Sequence, residues 1–143
     1  MMLIERVAAL TQSPIFVDVP HYALLELAQI VSEEHYTAKE TVIEQGRLES
    51  WMYLVGNGTL DISIDGSFVA TLAPGDTVGE LAVIDPAPRS ATAVAASDCL
   101  LLRIDQLPFN ELLLEQPRVM QALLIHAVRL SRSNHTGFSG AVA

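Results

Sequence analysis

The spacing of apolar residues divides the chain into helical ends and a central region of short strands. Apolar positions recur at helical intervals over residues 3–10 and again over residues 22–31, where Pro20 stands near the first turn. From His35 to Ile104, short runs of Val, Ile, Thr and aromatic residues alternate with Gly, Pro, Asn and Asp. This pattern predicts a series of β-strands separated by tight turns.

Five short runs in the central region have the composition of strands: residues 51–55, 59–64, 68–72, 91–94 and 99–104. The second run alternates apolar and polar residues, as a half-buried strand does. Asp65-Gly66, between the second and third runs, is a strong hairpin signal. We therefore predict an α+β, mainly β fold: a jelly-roll β-barrel of about eight strands flanked by N-terminal and C-terminal helices.

Helical spacing returns after Asp105, in one piece over residues 107–116 and in a second that opens at Pro117. The second piece carries an apolar stripe: Met120, Leu123, Leu124, Ala127 and Val128. The stripe either packs on the barrel as core or serves as a lid or a dimer seam. Residues 136–143 are rich in Gly, Ser and Ala. The chain thus divides into an N-terminal helix (1–14), one domain (15–132) and a flexible tail (133–143).

Composition narrows the classes of function. The formal net charge of −9 argues against a surface that binds nucleic acid, although a single arginine in a pocket could still hold a small anion. The one cysteine, Cys99, allows no internal disulfide and is expected to be a buried thiol. No apolar run reaches the length of a membrane span, and no signal peptide is evident, so we expect a cytoplasmic protein. The four histidines form no close cluster, and no nucleophile has a base beside it, so neither a metal site nor an enzyme is predicted.

The chemistry is concentrated in residues 79–92. An ionised Glu80 only accepts hydrogen bonds, whereas Arg89 only donates them and can hold a phosphate with two parallel bonds. Together they suit a ligand that carries a sugar hydroxyl and a phosphate. Gly79 would let the backbone approach such a ligand closely. The alternative is that Glu80 and Arg89 form an ordinary ion pair on a loop.

This segment resembles the phosphate-binding cassette of cyclic-nucleotide-binding domains, which occur in catabolite-activator-type regulators and protein kinase A regulatory subunits. The similarity extends over roughly residues 15–132 and includes several short motifs: residues 44–46, 52–55, 58, 74–76, 79–82, 88–92 and 97–101. The resemblance implies that Glu80 holds a ribose 2′-hydroxyl and that Arg89 holds a cyclic phosphate, with a secondary phosphate role for Ser90. The ligand-binding residues it implies are Gly79, Glu80, Leu81, Ala82, Arg89, Ser90 and Ala91.

The function that follows is a regulatory sensor of a 3′,5′-cyclic purine nucleotide, with cAMP favoured over cGMP. Leu124, Ile125 and Val128 are candidates for an apolar lid over the base, so that the C-terminal helices carry the signal. Since no helix-turn-helix or other effector follows the last helix, the chain is expected to be either a piece of a larger protein or a stand-alone sensor. A second copy or an effector domain outside this sequence is a possible partner. The alternative function is a structural interaction module that keeps the fold without the ligand.

Overall fold

The computed structural model describes residues 1–133. Its helices are α1 (Leu3–Thr11), α2 (His21–Ile30), α3 (Gln106–Glu115) and α4 (Pro117–Ser133). Between α2 and α3 the strands are β1 (Ser32–Tyr36), β2 (Thr41–Ile43), β3 (Leu48–Glu49), β4 (Trp51–Asn57), β5 (Leu60–Ile64), β6 (Ser67–Leu72), β7 (Thr77–Val78), β8 (Ala87–Pro88), β9 (Thr92–Ala95) and β10 (Cys99–Asp105).

The strands form two four-stranded antiparallel sheets, in the orders β1-β10-β4-β7 and β2-β9-β5-β6, and a two-stranded ribbon of β3 and β8. The prediction of a mainly β fold with helices at both ends is confirmed. The predicted closure into an eight-stranded jelly-roll barrel is not confirmed. The reason is that the ladders of the described strands end at β1 and β7 in one sheet and at β2 and β6 in the other.

The core has two layers, and β4 separates them. Met52 and Leu54 pack into the layer that the helices share with the first sheet, whereas Tyr53 and Val55 pack between the two sheets. Both faces of β4 are therefore covered, which explains why its sequence is continuously apolar rather than alternating. The segment between β7 and β9 reaches both layers, because Val83 lies in the first and Ala91 in the second.

Most local predictions are confirmed. The four helical segments and the five strand runs are present, and their ends agree within two residues. The hairpin signal is confirmed as well: Asp65 and Gly66 have positive φ angles of 51° and 81°, and Ile64 pairs with Ser67 across the turn. Such φ values at both central residues match the right-handed twist of the flanking strands. The predicted flexible tail lies outside the described residues, apart from Ser133.

The predicted stripe of α4 is rotated relative to its buried face. Val119, Leu123 and Leu130 are buried, whereas Met120 and Leu124 are exposed. Only Leu123 belongs to both sets, so the interpretation of the whole stripe as core is wrong. Among residues 1–133, none of the helices has the length and hydropathy that a membrane crossing requires.

Candidate ligand-binding site

The site is built by the segment that connects β7 to β9. It begins at Gly79, whose φ of +81° turns the chain, and continues as a helical turn in which the Asp85 amide donates to the Leu81 carbonyl over 2.9 Å. Ala82 and Val83 anchor this turn by burying their side chains. The segment thereby places Glu80 at one end and Arg89 at the other, both inside the protein.

Arg89 is only 1% exposed, and the protein itself holds most of its guanidinium. Its Nε donates to Glu49 Oε1 over 3.0 Å, and its Nη2 donates to the Trp51 carbonyl over 2.5 Å. The guanidinium carbon lies 5.8 Å from the centre of the Trp51 ring. Nη1 is buried and has no hydrogen-bond partner. The guanidinium is therefore oriented by two bonds and keeps one nitrogen with unused donors.

Gly79 makes room for this guanidinium. A Cβ at Gly79 would lie 2.1 Å from Arg89 Nη1 and 3.1 Å from the Trp51 carbonyl oxygen. No side chain can be tolerated there unless the guanidinium moves. Gly79 therefore has two reasons to be glycine, its positive φ and this close approach.

The backbone of Arg89 is fixed by the turn at residues 44–47. The Arg89 amide donates to the Arg47 carbonyl over 2.8 Å, and the Gly46 amide donates to the Arg89 carbonyl over 2.8 Å. Thr92 Oγ1 accepts from the Gln45 amide over 3.0 Å, which gives Thr92 a structural role. The motif at residues 44–46 is thus the support for the C-terminal half of the segment.

Glu80 is 2% exposed and contacts α4. Its Oε1 lies 3.0 Å from His126 Nε2, while Oε2 is buried and has no hydrogen-bond partner. Where the carboxylate is ionised it only accepts, and His126 then donates through the tautomer that carries its proton on Nε2. Among the described residues, Glu80 pairs with His126 and Arg89 pairs with Glu49. The simple Glu80–Arg89 ion pair is therefore not what the structure contains.

The remaining residues implied by the resemblance differ in exposure. Ala82 and Ala91 are buried, whereas Leu81 and Ser90 are exposed. The proposed lid residues Leu124, Ile125 and Val128 are 63%, 43% and 42% exposed. Of these, Leu124 lines an apolar groove of about 470 Å³ with Leu81 and Ile84, away from Glu80. The α4 side chain that reaches Glu80 is His126 instead.

A cavity of about 300 Å³ opens beside Glu80, between the loop after α1, strands β6 and β7, and α4. Its lining includes Leu72, Thr77, His126 and Leu130. Within residues 1–133, no three His, Cys, Asp or Glu side chains are grouped as a metal site would need. Glu80 also lines this cavity, so its carboxylate is the acidic group that a ligand in the cavity would meet beside His126.

Two residues that contact Arg89 and Glu80 escaped the sequence analysis. Glu49 lies 40 residues before Arg89, and His126 lies 46 residues after Glu80. The only sequence signal for Glu49 is its place just after the turn that supports Arg89. His126 has a clearer signal, since it is a polar residue that stands between the buried Leu123 and Leu130 at helical spacing.

Two buried polar atoms of the segment, Glu80 Oε2 and Arg89 Nη1, have no hydrogen-bond partner among the described residues. Buried polar atoms without partners are rare in folded proteins because each costs free energy. Here the segment holds a buried acceptor, Glu80 Oε2, and a buried donor, Arg89 Nη1, at its two ends. A hydrogen-bond donor such as a hydroxyl would satisfy Glu80 Oε2, and a hydrogen-bond acceptor would satisfy Arg89 Nη1.

Residues 33–116, more than half of the chain, match the cyclic nucleotide-binding domain, and the chain therefore belongs to that family. A cAMP-dependent protein kinase regulatory subunit from Eremothecium gossypii is 42% identical over 83 residues, which are 57% of this chain and 18% of that protein. The chain spans between 17% and 27% of the length of four kinase regulatory subunits that are similar to it.

Two solved structures extend the similarity to the fold. The N-terminal domain of a transcriptional regulator from Streptomyces coelicolor is 28% identical, with a TM-score of 0.78 over 92% of this chain and 94% of that one. The catabolite activator protein of Thermus thermophilus is also 28% identical, with a TM-score of 0.78 over 87% of this chain and 61% of that one. The arrangement of sheets and flanking helices is therefore shared with bacterial regulators.

Proposed function

We propose that this domain binds a 3′,5′-cyclic purine nucleotide and acts as a regulatory sensor rather than as an enzyme. The observation that carries the proposal is the pair of buried unpaired atoms, Glu80 Oε2 and Arg89 Nη1, at the two ends of one segment. Arg89 would hold the cyclic phosphate and Glu80 the ribose 2′-hydroxyl. Membership of the family and the similarity to a cAMP-dependent kinase regulatory subunit support this assignment.

Binding requires the segment to move. Arg89 is almost fully covered, so a phosphate reaches its guanidinium only when residues around Gly79 shift away from it. Glu49 and the Trp51 carbonyl keep two nitrogens of the guanidinium oriented. The side chain therefore loses less conformational entropy when a phosphate binds. The movement couples phosphate binding to the helical turn that also carries Glu80.

The choice between cAMP and cGMP is the finer part of the proposal. We favour cAMP because the similar kinase regulatory subunits are named as cAMP-dependent. Ser90, the residue after Arg89, is exposed, and a serine at this position is compatible with either base. Competition between the two nucleotides in one titration tests this choice: cAMP should displace cGMP, and the reverse order would assign the site to cGMP.

The test of the phosphate role is titration calorimetry on Arg89→Ala, with Arg47→Ala as the matched control. The Arg47 side chain is exposed and pairs only with Glu44 beside it. Removing Arg89 should cost about 2–5 kcal/mol of binding free energy, because the phosphate loses its buried cation. Arg47→Ala should bind like wild type. Equal affinity of wild type and Arg89→Ala would refute the assignment.

A second variant keeps the test decisive where Arg89→Ala folds poorly, since the alanine leaves Glu49 without its cation. Arg89→Lys keeps the charge but loses the planar fork, so it should bind measurably yet more weakly than wild type. The fluorescence of Trp51, the one tryptophan of the chain, offers an independent reading, because the Arg89 guanidinium lies near its ring. Binding at Arg89 should change that emission.

The hydroxyl role of Glu80 is tested with a 2′-deoxy cyclic nucleotide. Wild type should reject the deoxy ligand strongly, because a site built for a hydroxyl leaves its own polar group unpaired without one. Glu80→Gln should show a smaller penalty, and Glu44→Gln, at an exposed carboxylate, should keep the wild-type penalty. The same penalty in Glu80→Gln and wild type would show that another residue reads the hydroxyl.

The second candidate function is a structural interaction module that keeps the fold without a ligand. Its support is the apolar surface of Ile84, Met120 and Leu124 beside the segment, which a partner protein or a second copy could cover. Titration with cAMP and cGMP separates the two functions. Heat of binding supports the sensor, and its absence with both nucleotides supports the module.

A further inference from the structure

One polar side chain on the inward side of α4, His126, meets the candidate site. Val119, Leu123 and Leu130 pack into the protein, and His126 occupies the position between the last two on the same face. Its Nε2 lies 3.0 Å from Glu80 Oε1. The His126 side chain is 19% exposed, and Glu80 supplies a hydrogen-bond partner for its partly covered ring.

We propose that His126 is a positioning residue for hydroxyl recognition. By holding Oε1, it turns the carboxylate so that Oε2 is left for the ribose 2′-hydroxyl of the ligand. The inference rests on the proposed function, because it adds a partner outside the segment, His126, to the residue that binds the hydroxyl, Glu80. It also makes α4 part of the site through His126 rather than through Leu124, Ile125 or Val128.

The geometry explains why Oε1 and Oε2 have different tasks. Both oxygens of Glu80 are nearly removed from solvent, so neither can rely on water for its hydrogen bonds. A hydrogen bond to a buried charged group is stronger than one between neutral groups, and it fixes the torsion of the side chain. Without His126, the carboxylate would be free to rotate and would present no fixed oxygen to a ligand.

The contact also links ligand binding to α4. A ligand that bonds Oε2 favours the carboxylate orientation that His126 stabilises, and the same orientation favours α4 in its docked position. By reciprocity, the docked helix strengthens the binding of a ligand that carries the 2′-hydroxyl. A ligand that lacks this hydroxyl gains little from the docked helix.

The test compares cAMP with its 2′-deoxy analogue on four proteins: wild type, His126→Ala, His126→Gln and Gln121→Ala. Gln121 is an exposed residue of the same helix and serves as the matched control. His126→Ala should bind cAMP about tenfold more weakly, the size expected for one hydrogen bond to a charged group. Its affinity for the deoxy analogue should change less than about twofold, so the preference for the hydroxyl falls.

The ratio of the two affinities separates positioning from general damage. A variant that merely loosens the fold weakens both ligands alike, and that result would overturn the proposal. Gln121→Ala should keep the wild-type ratio. His126→Gln should restore part of it, because an amide nitrogen can donate to Oε1 where the alanine cannot.

Amide exchange of the unliganded proteins gives a reading that needs no nucleotide. Residues 119–130 should exchange faster in His126→Ala than in Gln121→Ala, because only the former loses a contact with the body of the domain. Equal exchange in the two variants would show that the contact between His126 and Glu80 does not help to hold α4 in place, and it would overturn the proposal. Failure of wild type to bind any cyclic nucleotide would instead refute the proposed function, whatever the exchange data show.

Discussion

Replacing Gly79 with alanine should destabilise the protein more than the same replacement at Gly66, although both glycines have a φ of +81°. An alanine in this left-handed region costs about 1–2 kcal/mol, and the cost applies equally to both positions. At Gly66 a Cβ would meet nothing within 4 Å. Gly66→Ala therefore measures the backbone cost alone.

At Gly79 the new methyl group collides with Arg89. The Cβ would lie 2.1 Å from Nη1 and 3.1 Å from the guanidinium carbon, so the guanidinium must move. It is held by bonds to Glu49 and to the Trp51 carbonyl, and losing one buried bond of a charged group costs about 1.5–3 kcal/mol. The expected total for Gly79→Ala is about 2.5–5 kcal/mol of unfolding free energy.

Urea unfolding of the unliganded variants measures these differences, and a double variant isolates their cause. In an Arg89→Ala background the guanidinium is absent, so the extra cost of Gly79→Ala over Gly66→Ala should fall to the part caused by the 3.1 Å approach of the Cβ to the Trp51 carbonyl oxygen. Equal losses for the two single glycine variants would refute the reasoning. So would an extra cost that is the same with and without Arg89, because the collision would then lie wholly with the backbone.

Two further predictions concern other parts of the chain. Burial raises the pKa of Glu34, but hydrogen bonds from Tyr36 and Tyr53 and the nearby Arg103 outweigh burial and hold it below its ordinary 4.5. A folded-state pKa below the unfolded one contributes stability that is present above about pH 4.5 and is lost as the pH falls through the folded value. Glu34→Gln should therefore show a smaller acid-induced loss of unfolding free energy than wild type, and an unchanged pH profile would contradict this. Cys99 is buried and its pKa is raised by burial. Its thiol should react slowly with an aromatic disulfide reagent in the native protein and fast in urea, and a fast native reaction would show that it is accessible.

The sequence alone was sufficient for features that depend on local periodicity or on single-residue conformation. The helices follow from apolar spacing, the hairpin from Asp65-Gly66, and the boundary between α3 and α4 from Pro117. It also placed Glu80 and Arg89 in one segment, since the order of short motifs along the chain is enough for the family resemblance. Strands such as β1 were not found from the pattern, because its residues are mostly polar and it is a strand only through its pairing with β10.

Only the tertiary structure decided which residues complete the site. Glu49 and His126 lie 40 and 46 residues from the side chains that they contact, and no local pattern encodes such pairings. The same is true of the face that α4 buries. The apolar residues of α4 cover more of the helix surface than the rest of the domain can bury. The helical spacing of these residues was therefore compatible with either Leu124 or His126 facing inward. The packing of α4 against the domain selected His126, and with it the contact that fixes Glu80.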